Sequence, residues 1–336
     1  MIDQYFQKQD VMRRLIYALI PLFFFAVLLY GWSVLLQTAV VFAGGIATEY
    51  VFTRQRGKKI SEAVLVTCAL YALALPPALP LWITLVGIVF AVALAKEAYG
   101  GFGRNIFNPA IAGRLFIFLS FPVPYNAGWI VPASRGPQGF SGLFGTTQAA
   151  GVDTVTAATP LALLRTGEIP PLMDLFLGFR GGSSGESSVI LILLAALFLV
   201  ATKTANWKTM ASTFLGALTA AGAFFFGGLI PGLSPASFPG LSALVPLAAY
   251  MMSGSILFVT VFMATDPITA PNKPLAQFVY GLMIGGVSMT VRTLAGFPEG
   301  TSFGILVANT FSPFLDEHLP SPKKKKKKLQ TAGATQ

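Results

Sequence analysis

Long apolar stretches separated by short polar turns dominate the chain. Residues 15–52 are apolar over about 38 positions, far more than the roughly 20 that one helical crossing of a bilayer needs. The Gly31-Trp32-Ser33 interruption divides them into two helices, near 13–31 and 34–53. Eight more apolar stretches follow, near 61–76, 79–98, 106–122, 187–202, 209–230, 241–264, 275–294 and 301–316. The first stretch is long and carries no small-residue cleavage site after a short core, so it reads as a retained helix rather than a cleaved leader. The pattern predicts an all-α polytopic membrane protein of about ten transmembrane helices. Several stretches are short for a full crossing, which predicts tilted or broken helices.

Residues 123–186 interrupt this pattern. They are rich in Gly, Pro, Ser and Thr and carry Asp153, Glu168, Asp174 and Glu186. An unstructured connection of this length is uncommon in a compact fold unless it is functional or disordered. It separates a first five-helix half (1–122) from a second (187–318), and 319–336 form a basic tail. The halves show weak likeness. Gly101 to Pro109 precedes a helix in the first, and the stretch from Ser302 through Asn309 to Ser312-Pro313 lies in the corresponding place in the second. Proline clusters recur at Pro76, Pro77 and Pro80 and at Pro267, Pro271 and Pro274. Two related halves of five helices would have opposite topology, and such 5+5 inverted repeats place a site near the midplane where broken helices meet. Chance similarity between glycine-rich apolar segments is the competing reading.

Composition narrows the function classes. Apolar residues make up 54% of the 336 positions, charged residues 11%, and the mean hydropathy is +0.69. Soluble domains average about 25% charged residues, so this chain cannot cover a globular surface, and a soluble enzyme, a disordered protein and a nucleic-acid binder are all disfavoured. The net charge of +10 is an orientation signal. With the N-terminus inside, 18 of the 23 basic residues fall on inner segments: those around Lys8, Arg54, Lys96, Lys203 and Lys273, and the tail run Lys323–Lys328. By the positive-inside rule both termini are cytoplasmic and residues 123–186 lie on the outer side. The lysine run reads as a solvated tail near anionic lipid headgroups. One cysteine and one histidine exclude a disulfide, a thiolate metal cluster and a bis-histidine haem within the chain.

Three segments carry candidate chemistry. Asp153-Thr154-Val155-Thr156-Ala157-Ala158-Thr159-Pro160 offers a hydroxyl flanked by small residues, with an acid six positions upstream; an ordinary helix start with proline in its first turn accounts for the same residues. Gly100 to Pro109 places Asn105 and Asn108 three apart, expected on one helix face, where two amides can hydrogen-bond a neutral polar ring or simply cap a broken helix. Asp266, in Thr265-Asp266-Pro267-Ile268-Thr269-Ala270-Pro271-Asn272-Lys273-Pro274, is a membrane-edge carboxylate of the kind that is costly and often functional. It is a candidate for an ion path; pairing with Lys273 or capping of the next segment is the plainer alternative. Glu49, Glu62 and Glu97 read as boundary ion pairs; Arg114 lies inside a span and Arg292 near an outer end, and an arginine buried there needs an anionic partner or a snorkelling route.

The D-x-x-T-x-A-T run at 153–159 resembles the covalent flavinylation signature of the NqrB/RnfD family of membrane subunits. GGFGRNIFNPAIAGR (100–114), TDPITAPNKP (265–274) and EGTSFGILVANTFSPFLD (299–316) resemble the same family, in order along essentially the whole chain. The length is nearer the RnfD branch than the longer NqrB. Ala157 stands where glycine is frequent in the signature. The resemblance implies FMN esterified through its phosphate to Thr159, with Asp153, Thr156 and Ala158 completing the acceptor motif. It also implies a second, non-covalent flavin, riboflavin, near Asn105 and Asn108, with Asn309 a weaker candidate. The implied function is that of a flavoprotein subunit of an Rnf-type complex in the inner (plasma) membrane of a prokaryote. That complex would couple ferredoxin:NAD electron transfer to Na+ or H+ translocation, with other subunits and a flavin transferase as partners and no complete active site in this chain. A stand-alone channel or transporter for a small polar solute, or a structural membrane anchor, would suit the inverted repeat without needing the threonine motif.

Overall fold

The computed structural model describes residues 6–129, 159–295, 297 and 300–320. Among the described residues the regular structure is helical, apart from two-residue strands, Phe6–Gln7 and Ile60–Ser61, that pair in parallel. The first set of helices comprises α1 (Asp10–Tyr30), α2 (Trp32–Gln55), α3 (Ala63–Ala74), α4 (Leu81–Ala93), α5 (Pro109–Ser120) and a short α6 (Pro122–Ala127). After the undescribed stretch come two short helices, α7 (Pro160–Arg165) and α8 (Leu172–Leu177). The second set is α9 (Val189–Ala201), α10 (Trp207–Phe226), α11 (Leu244–Met252), α12 (Ile256–Phe258, continued by a π turn Val259–Met263), α13 (Pro274–Leu294) and α14 (Gly300–His318). All ten apolar stretches expected from the sequence are helical, with α11 and α12 sharing one. The α1–α2 break falls at Gly31, whose φ of 69° suits glycine.

Length separates these helices into two kinds. Five are long and apolar enough to cross a membrane: α1, α2, α4 with its continuation to Tyr99, α10 and α13. The pair α11–α12 is bent by 68° across Ser253–Ser255. Helices α3 and α5 have 12 residues each, about 18 Å of helix, against roughly 30 Å of hydrocarbon. They are half-length elements that need protein around them, and all but one of the residues of α3 are buried.

The packing order repeats. Helix α2 packs on α3 and α4, and α4 on α5; α10 packs on α11, α12 and α13, and α13 on α14. Counterparts also meet across the middle, α1 with α9 and α5 with α14. They run in opposite senses: the start of α1 meets the end of α9 through Arg14 Nη1, which donates to the Thr202 carbonyl at 3.0 Å. The start of α5 meets the turn before α13 through Asn108 and Asp266. One end of the bundle therefore gathers Arg13, Arg56, Lys96, Lys203 and Lys273, and we call it the basic end. Helices α7 and α8 lie at the opposite end, where Tyr30 Oη donates to the Arg180 carbonyl at 3.1 Å. These contacts are those that two oppositely running halves would make.

Small residues let these helices approach closely. An ideal Cβ on Gly285 of α13 would meet Ala217 N and Thr213 O of α10 at 2.3 Å. One on Gly113 of α5 would meet the Gly87 carbonyl of α4 at 2.7 Å, and one on Gly304 of α14 would meet the Ile284 carbonyl of α13 at 2.7 Å. Close backbone approach is how membrane helices gain packing without a hydrophobic driving force between them.

Candidate functional site

Polar groups from both halves converge on a cavity at the basic end. After the 3-10 turn Glu97–Tyr99, the chain runs through Gly100, Gly101 and Gly103 with φ of 111°, 91° and 85°. Only glycine takes such a run without strain. The run places Asn105 in coil and Asn108 at the N-cap of α5, where Asn108 Oδ1 accepts from Ile111 N at 3.3 Å. The sequence-based expectation that both asparagines share a helix face is corrected here, because both precede the helix. A capping role sets Asn108, since α5 opens with Pro109 and its N-terminal N–H groups need an acceptor. Asn105 Nδ2 donates to the Phe107 carbonyl at 3.1 Å and holds the approach.

Both asparagines nevertheless line one narrow cavity, of about 50 Å3, with Thr67 and Leu70 of α3, Met12 and Leu15 of α1, Lys96, Phe102, Phe262, Thr265 and Asp266. Its character is that of small-molecule sites, an apolar slot with a few convergent polar groups. Asp266 comes from the other half. Its Oδ1 accepts from Ile268 N at 3.1 Å and its Oδ2 from Asn108 Nδ2 at 3.4 Å. Pairing with Lys273 does not occur: Lys273 Nζ donates to the Leu319 carbonyl at 2.9 Å, and Asp316 accepts from the backbone N–H groups of Asn272 and Lys273 at 2.8 to 3.0 Å. Through Ile268 N, Asp266 closes a local turn; it does not cap α13, whose N-cap is Lys273. A second, open vestibule, lined by Lys203, Asn206, Thr209, Asn272 and Gln277, shares Thr204, Ala205, Thr265, Asp266 and Pro267 with the cavity.

The wall of the cavity holds a buried ion pair whose partner the sequence did not reveal. Lys96 Nζ donates to Glu49 Oε2 at 2.5 Å and to Ser61 Oγ at 2.9 Å, and Ser61 N and Oγ both donate to Glu49 Oε1. Lys96 and Glu49 are 2% and 1% exposed, so each charge depends on the other. The remaining boundary carboxylates pair as expected, Glu62 with Arg13 and Glu97 with Arg56. The Arg13 guanidinium and Gln9 N–H hold the Glu62 carboxyl below its ordinary range.

At the opposite end, Arg114 finds a protein partner: its Nη1 lies 3.1 Å from Glu186 Oε1, its Nε donates to Tyr125 Oη at 3.1 Å, and its Nη2 donates to Ser183 Oγ at 3.4 Å. Arg292 Nη1 donates to the Ser253 carbonyl at 3.1 Å, and Arg180 donates to the carbonyls of Met252 and Glu186. Two buried arginines therefore satisfy the carbonyls that the α11–α12 break leaves without helical partners. Arg180 was not singled out by the sequence; only its place in a glycine-rich loop hinted at a buried role. Asn309 is fully buried on α14, where its Oδ1 accepts from Tyr280 Oη at 2.6 Å, and it does not line the cavity.

Thr159 is the N-cap of α7: its Oγ1 accepts from Ala162 N at 3.3 Å, Pro160 occupies the first turn, and the residue is half-buried at the end opposite the basic one. Asp153, Thr156 and Ala158 lie outside the described residues. Among the described residues no group of His, Cys, Asp and Glu is arranged to hold a metal ion.

The chain matches known proteins over nearly its whole length. Residues 2–324 match the model of the NQR2, RnfD, RnfE family. The D component of an ion-translocating oxidoreductase complex from Shewanella amazonensis is 32% identical over 342 residues, covering 93% of this chain and 92% of that protein. The B component of a Na+-translocating NADH-quinone reductase from Chromohalobacter salexigens is 35% identical, covering 82% of this chain but 63% of that longer protein. Its counterpart in Neisseria meningitidis serogroup B is 33% identical over 88% of this chain and 68% of that protein. A match of this extent, over an inverted bundle of broken apolar helices, establishes that the chain belongs to the NQR2, RnfD, RnfE family.

Proposed function

We propose that this protein is a flavin-carrying membrane subunit of an Rnf-type complex that couples electron transfer between ferredoxin and NAD to the movement of Na+ or H+. The observation that carries the reading is the cavity at the basic end, where amides from one half, Asn105 and Asn108, meet a carboxylate from the other, Asp266. Apolar walls and amide donors suit a neutral, planar, hydrogen-bonding ring, and riboflavin is the ring the family resemblance suggests. Thr159 is a fitting acceptor for FMN: its hydroxyl makes only an exposed capping contact, Ala158 and Ala157 precede it, and Pro160 fixes the backbone that follows. Bound flavins would supply one-electron chemistry. The chain's own residues supply the rest. Asn108 and Asn105 orient a ring at the basic end, the Lys96–Glu49 pair fixes one wall, and Asp266 stands between that cavity and the vestibule as a stage in the ion path. With the basic end cytoplasmic, by the positive-inside rule, Thr159 lies on the outer side of a prokaryotic inner membrane and the two flavins work near opposite faces. Other subunits and a flavin transferase complete the system.

Expression beside a flavin transferase tests the covalent assignment. Retained fluorescence on a denaturing gel, with one FMN adduct by intact mass that Thr159→Ala removes, is the expected result. An unmodified Thr159 under those conditions rejects it. For the ion path, Asp266→Asn in the assembled complex should reduce ion transport while leaving covalent flavin content unchanged; unaltered transport removes Asp266 from the path.

A further inference from the structure

The cavity and the vestibule meet at one carboxylate, and one amide connects that carboxylate to the cavity. Asn108 Oδ1 is committed to capping α5 through Ile111 N. This fixes which end of the amide faces Asp266, because a flip would set Nδ2 against the Ile111 N–H and Oδ1 against a carboxylate. Its Nδ2 reaches Asp266 Oδ2 at 3.4 Å, a long contact with room to tighten or release. The two residues are 158 positions apart and belong to opposite halves. Both line the cavity; Asn108 is 3% exposed and Asp266 is half-buried. Asp266 otherwise receives Ile268 N–H on its other oxygen, with the Thr269 hydroxyl beside it.

We infer that Asn108 couples occupancy of the cavity to the charge on Asp266. The inference rests on the reading of the cavity as a ring-binding site. A ring acceptor in the cavity draws the Asn108 amide toward itself. Asp266 then keeps fewer donors, its negative charge is less well compensated, and it takes a small monovalent cation, a proton or a sodium ion, from the vestibule. The converse follows by thermodynamic necessity: a cation on Asp266 releases the amide and strengthens its bond to the ring. Among the described residues, the charged and titratable groups facing this carboxylate are few. Lys96 on the cavity wall is held by Glu49 and Ser61, Lys203 lines the vestibule, and Tyr280 of α13 donates to Asn309. Asn108 is a positioning residue in this scheme, since it acts on the ion path through Asp266.

Equilibrium dialysis of riboflavin against the intact complex, depleted of non-covalent flavin, reads the coupling directly. The titration is repeated across pH and at low and high sodium. The wild-type affinity should change with one of these variables by a factor of about 5 to 150, the usual range for coupled sites. Asp266→Asn should flatten that dependence. Asn108→Ser should flatten it too while keeping an oxygen to cap α5, so that loss of coupling is separable from loss of the helix start. A response to pH alone identifies the proton, and one to sodium alone identifies sodium. Riboflavin binding that ignores both variables, or a dependence that survives unchanged in Asn108→Ser, overturns the coupling while leaving the ring site standing. Failure of the wild type to bind riboflavin overturns the ring site, and the coupling with it.

Discussion

At the scale of single residues, charge in this chain is placed where it is answered. Lys96 and Glu49 are the clearest case. With Lys96 replaced by Met, Glu49 is left buried with only Ser61, and thermal unfolding in detergent should show a loss of roughly 3–5 kcal/mol. The double change Lys96→Met with Glu49→Leu should recover most of it, because two apolar groups leave no orphan charge. The Arg13–Glu62 pair behaves differently, being near the surface. Its carboxyl is held below the ordinary range by Arg13, so the folded state favours the ionised form. The stabilisation is full above the ordinary glutamate pKa and disappears as the pH falls through the folded value. The melting-temperature gap between wild type and Glu62→Gln should therefore be small at neutral pH and close in acid. The sequence showed which acids sit near basic residues. It did not show what Arg114 and Arg292 meet, because Glu186 is 72 positions from Arg114 in the chain and the carbonyls of a helix break carry no residue signature.

At the scale of elements, the apolar pattern located all ten helical stretches, since burial in a bilayer demands long apolar runs whatever the tertiary packing. Which of them are half-length could be read only as shortness. That α3 is enclosed, while α1 and α2 leave broad faces open, depends on neighbours. The same holds for glycines. Gly285 and Gly286 are adjacent and indistinguishable in sequence, yet a Cβ on Gly285 would strike the α10 backbone and one on Gly286 would meet nothing within 4 Å. Gly285→Ala should lower stability by about 1–3 kcal/mol through overpacking. Gly286→Ala should be neutral or stabilise by up to about 1 kcal/mol, as a helical glycine with open space beside it. Equal melting temperatures for the two variants would contradict the packing described for α10 and α13.

At the scale of the whole molecule, the opposed halves bring the start of the first and the end of the second to one face and the α7–α8 segment to the other. Cys68 is fully buried, so the native chain offers little background to an impermeant maleimide. Single cysteines introduced near the start of α1 and after α14 should label from the same side of sealed vesicles, and one at Thr166 from the other; labelling of all three from one side would break the topology. The sequence by itself determined the membrane class, the number and order of apolar elements and the grouping of positive charge, because each follows from the cost of moving polar groups and charges into hydrocarbon. It also singled out Thr159, Asn105, Asn108 and Asp266. Only the tertiary structure decided that Asn108 meets Asp266 and that Lys96 belongs to Glu49. It alone decided too that arginines close the α11–α12 break. Those contacts span residues far apart in the chain, and two oppositely running halves must pack before the groups are near enough to interact.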